Sequence, residues 1–223
     1  YQHKDDKGNI VYSNDKGEYV SSHLEALNIY ENNMGRLEGG RQHDPIYNDE
    51  NARRQIYTFG DSWTYGWSLE QEQTFTHLLG DEDTAVYNYG AGGTGLDFAV
   101  KTLSEVYIPE SRRQIFIITV PHFFRRTWFD DDGVVLRAWQ VKEKVNINEY
   151  NNYFYFLHHY NMLNTFVGRD KIIWGTWDGD LPAEHFDVNF DLTDLAEDNL
   201  HPGPIAHKEY AEKIKNVLQD RFK

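Results

Sequence analysis

The chain contains no cysteine. That excludes disulfides, thiolate metal sites and a cysteine nucleophile, but it leaves the compartment open, since secreted proteins can also lack cysteine. Basic residues are scarce: 22 Lys and Arg stand against 36 Asp and Glu, for a formal net charge of −14. So acidic a surface repels phosphate backbones, which argues against nucleic acid as a partner. It favours a neutral or cationic small substrate, or simply solubility. Long apolar runs are missing as well. None approaches the ~18 residues of a membrane span, and no signal peptide is visible. The chain begins at Tyr1 rather than methionine, which is compatible with a missing leader or upstream domain and leaves localisation unassigned.

Metal patterns are equally scarce. There is no His-Glu-x-x-His and no Cys-His spacing, and His158 and His159 are adjacent, so on a helix they point apart. The acid run Asp130 to Asp132 reads as a solvated turn before it reads as a cation site. Repeats and low-complexity tracts are absent.

What is present is a core. Hydrophobic residues make up 39% of 223, including 13 Phe, 15 Tyr and 6 Trp, which suffices for one packed domain with or without an arm. Residues 1–54 are polar and acidic and read as such an arm. A small hairpin is expected over 9–20, turning at Asn14 to Gly17, then a short helix over 22–31 and a loop with Gly35, Gly39, Gly40 and Pro45. A lid, a partner contact and packing for a sheet edge are all open roles for it.

Residues 55–223 alternate regularly. Strand 55–59 precedes a helix over 68–79, which a capping box from Ser68 to Gln71 would open and Gly80 would end. Strand 84–88 leads through a glycine-rich loop to a helix at about 95–107. The run Ile115 to Val120 is apolar throughout, as in strands buried on both faces of a parallel sheet. A hairpin insertion follows near 123–146, turning at Asp132-Gly133. Then come a long aromatic helix over 147–167, a strand over 171–177 and an amphipathic helix from Pro204 to about Arg221, with Ala211, Ile214, Val217 and Leu218 inward. Strands alternating with helices predict an α/β fold, a parallel sheet between helical layers.

The first strand runs straight into Gly60-Asp61-Ser62. Gly60 permits a tight turn there, and Ser62 falls at the strand's carboxyl end, where open α/β sheets hold ligands. The G-x-S-x-G elbow is not met, because Thr64 stands two residues after Ser62. A serine nucleophile needs a base, and an imidazole base needs a carboxylate to fix its tautomer and balance its charge. Asp198-Asn199-Leu200-His201-Pro202 offers both on one loop, and Pro202 biases His201 towards extended angles. The middle stretch Asn88 to Gly95 carries Gly90, Gly92, Gly93 and Gly95. Its Gly-x-Gly-x-x-Gly spacing matches a dinucleotide fingerprint, but it lies on the second βα unit and the next strand ends in Val120-Pro121-His122, without an acid for a ribose.

Gly60-Asp61-Ser62, the glycine loop and Asp198-x-x-His201 before the last helix occur in the order of the SGNH/GDSL hydrolases, which residues 55–223 resemble. The resemblance implies a three-layer α/β/α, flavodoxin-like sandwich and cofactor-free hydrolysis of small carboxylic esters, acylated carbohydrates among them, through an acyl-serine. It implies Ser62 as nucleophile, His201 as base, Asp198 as its partner, and the N–H groups of Ser62 and Gly93 as oxyanion donors. The family's Gly-x-Asn-Asp block is absent, and His122 falls at or beside the position of its oxyanion asparagine. A structural His122, bonded to backbone, is an equally open reading. Trp63, Tyr65 and Trp67 would form an aromatic platform for substrate, or pack the core. A non-catalytic binding or structural module of a larger assembly is the competing function; retention of Ser62, Asp198 and His201 together speaks against it.

Overall fold

The computed structural model describes residues 2–4, 10–13, 19–20, 52–121, 125, 127–129, 135–137, 149–179 and 181–222. The chain divides into two units, Tyr1–Gly40 and Arg41–Lys223. In the first, β1 (Gln2–Lys4), β2 (Ile10–Ser13) and β3 (Tyr19–Val20) form an antiparallel sheet in that order, with Tyr12 opposite Val20. The helix expected over 22–31 and the turn from Asn14 to Gly17 lie outside the described residues.

The second unit is built on five parallel strands: β4 (Arg54–Gly60), β5 (Thr84–Gly90), β6 (Gln114–Val120), β9 (Ile172–Thr176) and β10 (Val188–Asn189). Their order is β10-β9-β6-β4-β5. Between β6 and β9, β7 (Thr127–Phe129) pairs antiparallel with β8 (Val135–Arg137). The acid run Asp130 to Asp132 lies outside the described residues.

Side-chain alternation builds the layers. Every residue of β6 is buried, but Ile115 and Ile117 enter one core while Phe116, Ile118 and Val120 enter the other. The first core is covered by α2 (Phe75–Leu78) and α5 (Pro204–Arg221), through Phe75, Ala206, Tyr210, Ala211, Ile214 and Leu218. The second is covered by α3 (Leu96–Val106) and α4 (Glu149–Leu163), through Leu96, Ala99, Leu103, Phe156 and Leu163. Two helical layers therefore sandwich one parallel sheet. Truncating Ile117, which is 0% exposed, to alanine would cost about 2–5 kcal/mol.

One expected helix is broken. In place of a helix over 68–79, a 3-10 turn over Gln71–Gln73 is followed by the single-turn α2. The capping box exists, but it joins Glu70 and Gln73. Ser68 instead adopts a left-handed φ of 62°, and Thr74 is extended, its hydroxyl accepting the N–H of His77 at 3.3 Å. Hydroxyl side chains offer the backbone alternatives to helix, and Thr74 takes one as the N-cap of α2, whereas the Ser68 hydroxyl bonds a side chain distant in sequence. The long helix also ends early. After Leu163 it widens into a π turn over Asn164–Gly168, closed by Gly168 at φ 102°. Among the described residues no helix is long and apolar enough to cross a membrane.

Candidate active site

β4 connects to β5 on one side and neighbours β6 on the other, so the strand order reverses at β4 and opens a crevice at the carboxyl ends of β4 and β6. Ser62 stands there as the first residue of α1 (Ser62–Tyr65), 8% exposed. Asp61 caps this short helix, its carboxylate accepting the N–H of Trp63 at 3.1 Å. The helix lies directly on the end of β5. A Cβ on Gly90 would come within 2.3 Å of the Tyr65 backbone nitrogen, so only glycine fits. Buried Asn88 fastens the same turn, donating to the Thr64 carbonyl at 3.1 Å and accepting the N–H of Gly90 at 2.9 Å.

Asp61 does more than cap. It is fully buried, and Arg125, from the segment after β6, donates to its second oxygen at 2.5 Å. Burial pushes the Asp61 carboxyl up, against the Arg125 guanidinium, the N–H of Trp63 and the positive potential of a protonated His201. The Arg125 guanidinium also lies over the Trp177 ring at 5.5 Å, and Trp177 stacks on Trp63 at 4.4 Å. Trp63 in turn meets Phe190 edge-on at 5.3 Å. One side of the serine turn is thus an aromatic and cationic support.

The other side is the loop 194–203. Asp194 holds its base, accepting the N–H groups of Ile205 and Ala206 at the start of α5 at 3.1 and 2.7 Å. Leu195 bridges Pro202, and the N–H of Ala196 donates to the His201 carbonyl at 2.8 Å, so the loop closes on itself. Asp198 and His201 sit on it together. Asp198 Oδ1 accepts the N–H groups of Leu200 at 3.0 Å and His201 at 3.1 Å. Oδ2 faces His201 Nδ1 at 2.6 Å and accepts the Ser68 hydroxyl at 2.9 Å. Burial alone would raise the Asp198 carboxyl. The Leu200 N–H, the imidazole and N–H of His201, and the Ser68 hydroxyl outweigh it and hold the group below the usual carboxylate range. With Nδ1 directed at Asp198, Nε2 is the imidazole nitrogen left for a reacting group.

The bond from Ser68 to Asp198 joins this loop to the segment that carries Ser62. The Trp67 ring lies 6.2 Å from His201, and Tyr65 lies 5.8 Å from Trp67. Of the aromatic platform, then, Trp67 stands by the imidazole, Tyr65 stands by Trp67, and Trp63 packs on Trp177 and Phe190. Among the described residues no hydrogen bond joins Ser62 Oγ to His201. Such contacts are often long without substrate and tighten in the complex. Gly93 has a left-handed φ of 75°, and neither its N–H nor that of Ser62 meets an acceptor among the described residues. His122 lies outside them. No three His, Cys, Asp or Glu side chains converge as metal ligands among the described residues.

Sequence reading took Ser68 only as a helix cap and Trp177 only as the end of a strand, and it gave Arg125 and Asp194 no place at the site. Only Asp194 had a signal, an acid ahead of a helix starting at Pro204. The others act through contacts between segments distant in the chain.

No family model matches the sequence, and no curated protein sequence matches it either. Solved structures do match. A carbohydrate esterase, whose active site is described as displaying divergent catalytic and non-catalytic binding functions, superposes with TM-score 0.53 at 13% identity, over 94% of this chain and 69% of its own. A lipolytic protein of the G-D-S-L family from Veillonella parvula gives 0.47 at 13%, over 74% and 98%. A family two carbohydrate esterase from Clostridium thermocellum, in complex with cellohexaose, gives 0.49 at 12%, over 78% and 66%. With its parallel sheet between two helical layers, the chain has the fold of the SGNH-type hydrolases.

Proposed function

We propose that the protein is a serine ester hydrolase with Ser62 as nucleophile, His201 as general base and Asp198 as its orienting acid. The observation that carries this reading is the 2.6 Å pairing of Asp198 with His201 Nδ1, on a loop bonded through Ser68 to the Ser62 segment. His201 Nε2 takes the hydroxyl proton as Ser62 Oγ attacks the ester carbon. The carbonyl oxygen becomes an oxyanion and receives the N–H groups of Ser62 and Gly93, with His122 as a third donor. Collapse breaks the bond to the alkoxy oxygen, which leaves as the alcohol with the proton from the imidazolium. Water, deprotonated by His201, then attacks the acyl-serine, releasing the acid and regenerating Ser62.

Small carboxylic esters, including acylated carbohydrates, are the proposed substrate class. Support comes from the Trp67 indole beside His201 and from the carbohydrate esterase that shares the fold. The test is hydrolysis of a short p-nitrophenyl ester and of acetylated oligosaccharides by wild type and Ser62→Ala. Loss of at least about 10⁴-fold in kcat with Ser62→Ala is expected; equal turnover by the two proteins would overturn the reading.

The second reading is a binding module on the same fold, favoured by the missing hydrogen bond between Ser62 and His201. It predicts saturable carbohydrate binding with no turnover in the wild type.

A further inference from the structure

Two non-glycine residues among those described have positive φ, Ser68 at 62° and Asn199 at 54°. Asparagine tolerates this region, whereas serine pays more for it than glycine would. Both lie at the candidate site. Backbone strain of this kind persists where surrounding structure enforces it, and often where function uses it.

What the strained conformation delivers is one hydrogen bond. The Ser68 hydroxyl donates to Asp198 Oδ2 at 2.9 Å, the same oxygen that meets His201 Nδ1 at 2.6 Å. The other carboxylate oxygen is held by the loop's own N–H groups, from Leu200 and His201. Without Ser68, the oxygen that orients the imidazole has no fixed donor from outside the loop among the bonds described. The donor is also neutral. A lysine or arginine there would cancel the charge that Asp198 must present to an imidazolium, whereas a hydroxyl fixes direction and leaves the charge in place. Among the described residues, His201 is in contact with the charged Asp198 and within the electrostatic reach of Asp61, itself paired with Arg125.

We propose that Ser68 is a positioning residue, aligning Asp198 Oδ2, and through it His201, with Ser62. This rests on the reading of Ser62 and His201 as nucleophile and base. It adds a fourth side chain, six residues beyond the serine, which the sequence offered only as a helix cap.

Ser68→Gly and Ser68→Ala test it together. Both remove the hydroxyl, but glycine relieves the left-handed strain while alanine keeps it. The expected result is a similar fall in kcat for both, about tenfold, with KM little changed. Their melting temperatures should differ, with Ser68→Gly at or above wild type and Ser68→Ala below it. The ¹³C titration of the Asp198 carboxyl should move to higher pH in both variants, since one of the donors holding the carboxylate is gone. Wild-type kcat in Ser68→Gly would overturn the proposal, as would losses of kcat that simply follow melting temperature. If the wild type hydrolyses no ester and Ser62 takes no phosphonate, it is the reading of the site that fails. The Asp198 titration then decides by itself whether Ser68 holds this carboxylate, and an unmoved titration overturns the proposal.

Discussion

Two carboxylates in this protein are both held below the usual range, and they are held in opposite ways. Asp187, just before β10, accepts Arg169 at 2.8 Å and Arg221 at 2.5 Å, together with the N–H of Trp174 at 2.9 Å. Burial pushes its carboxyl up, and the two arginines outweigh it. The same arginines also donate to the Ile172 carbonyl at 2.8 and 2.7 Å, so the knot ties the end of α5 to the start of β9. Among the described residues Asp198 has no arginine or lysine partner: two N–H groups, a hydroxyl and one imidazole surround it. Permanent cations make Asp187 a clamp. Neutral donors leave Asp198 a charge still to be balanced, which in the proposed mechanism falls to the imidazolium of His201. Similar pKa directions therefore do not mean similar roles; the identity of the partners separates them.

Removing charge without changing shape should separate the two residues most widely. Asp198→Asn should lower kcat by about 10³- to 10⁴-fold, with the melting temperature nearly unchanged, because the amide neither fixes the imidazole tautomer nor balances the imidazolium. Asp187→Asn should do the reverse, leaving ester turnover intact. A stable Asp198→Asn protein with normal kcat would erase the distinction.

Asp61 and Arg125 give an intermediate case, a buried carboxylate with a permanent cation placed beside the serine. Arg125→Met should destabilise the protein by about 3 kcal/mol, because it strands a buried charge. The double variant Asp61→Asn, Arg125→Met should recover much of this, since asparagine still caps α1 and carries no charge. Denaturant unfolding of the four proteins in the cycle checks it; equal losses in the single and double variants would show that the charge is not the issue.

A smaller effect is expected at Asp187 itself. Asp187→Asn should lose about 1.5–3 kcal/mol near neutral pH, the scale of a charge-assisted bond. The sign with pH follows from its depressed pKa. The folded form binds its proton less readily than the unfolded chain, whose aspartates titrate near about 3.9. Its contribution is therefore present above that value and is lost as pH falls through the folded pKa. The stability gap between wild type and Asp187→Asn should be full above pH ~5 and shrink in stronger acid. A gap independent of pH would mean that packing, not charge, accounts for it.

The sequence made the framework legible where local chemistry and burial agreed. Ile115 to Val120 could only be a strand buried on both faces, and Pro204 marked the start of α5. The pairing of Asp198 with His201 was legible from the two residues between them together with the resemblance that set Asp198-x-x-His201 just before the last helix. The break in the helix expected over 68–79 was not legible, because Ser68 resembles a helix cap in sequence while its backbone is left-handed, and it is Thr74 that caps the short α2. The bond from Ser68 to Asp198, and that from Arg125 to Asp61, link segments that only the tertiary fold brings together. No local pattern encodes a partner 130 residues away. His122, the expected third oxyanion donor, lies outside the described residues. Its replacement by alanine should lower kcat by about 10²- to 10³-fold with little change in KM.

The central claim, that Ser62 is a nucleophile activated by the His201–Asp198 pair, is tested most directly by a fluorophosphonate probe and peptide mapping of the adduct. The account predicts one covalent phosphonyl group on Ser62 in the wild type, formed far more slowly in Asp198→Asn and absent in Ser62→Ala. An unlabelled Ser62 in folded wild-type protein, or an adduct that forms at the same rate without Asp198's charge, would contradict it.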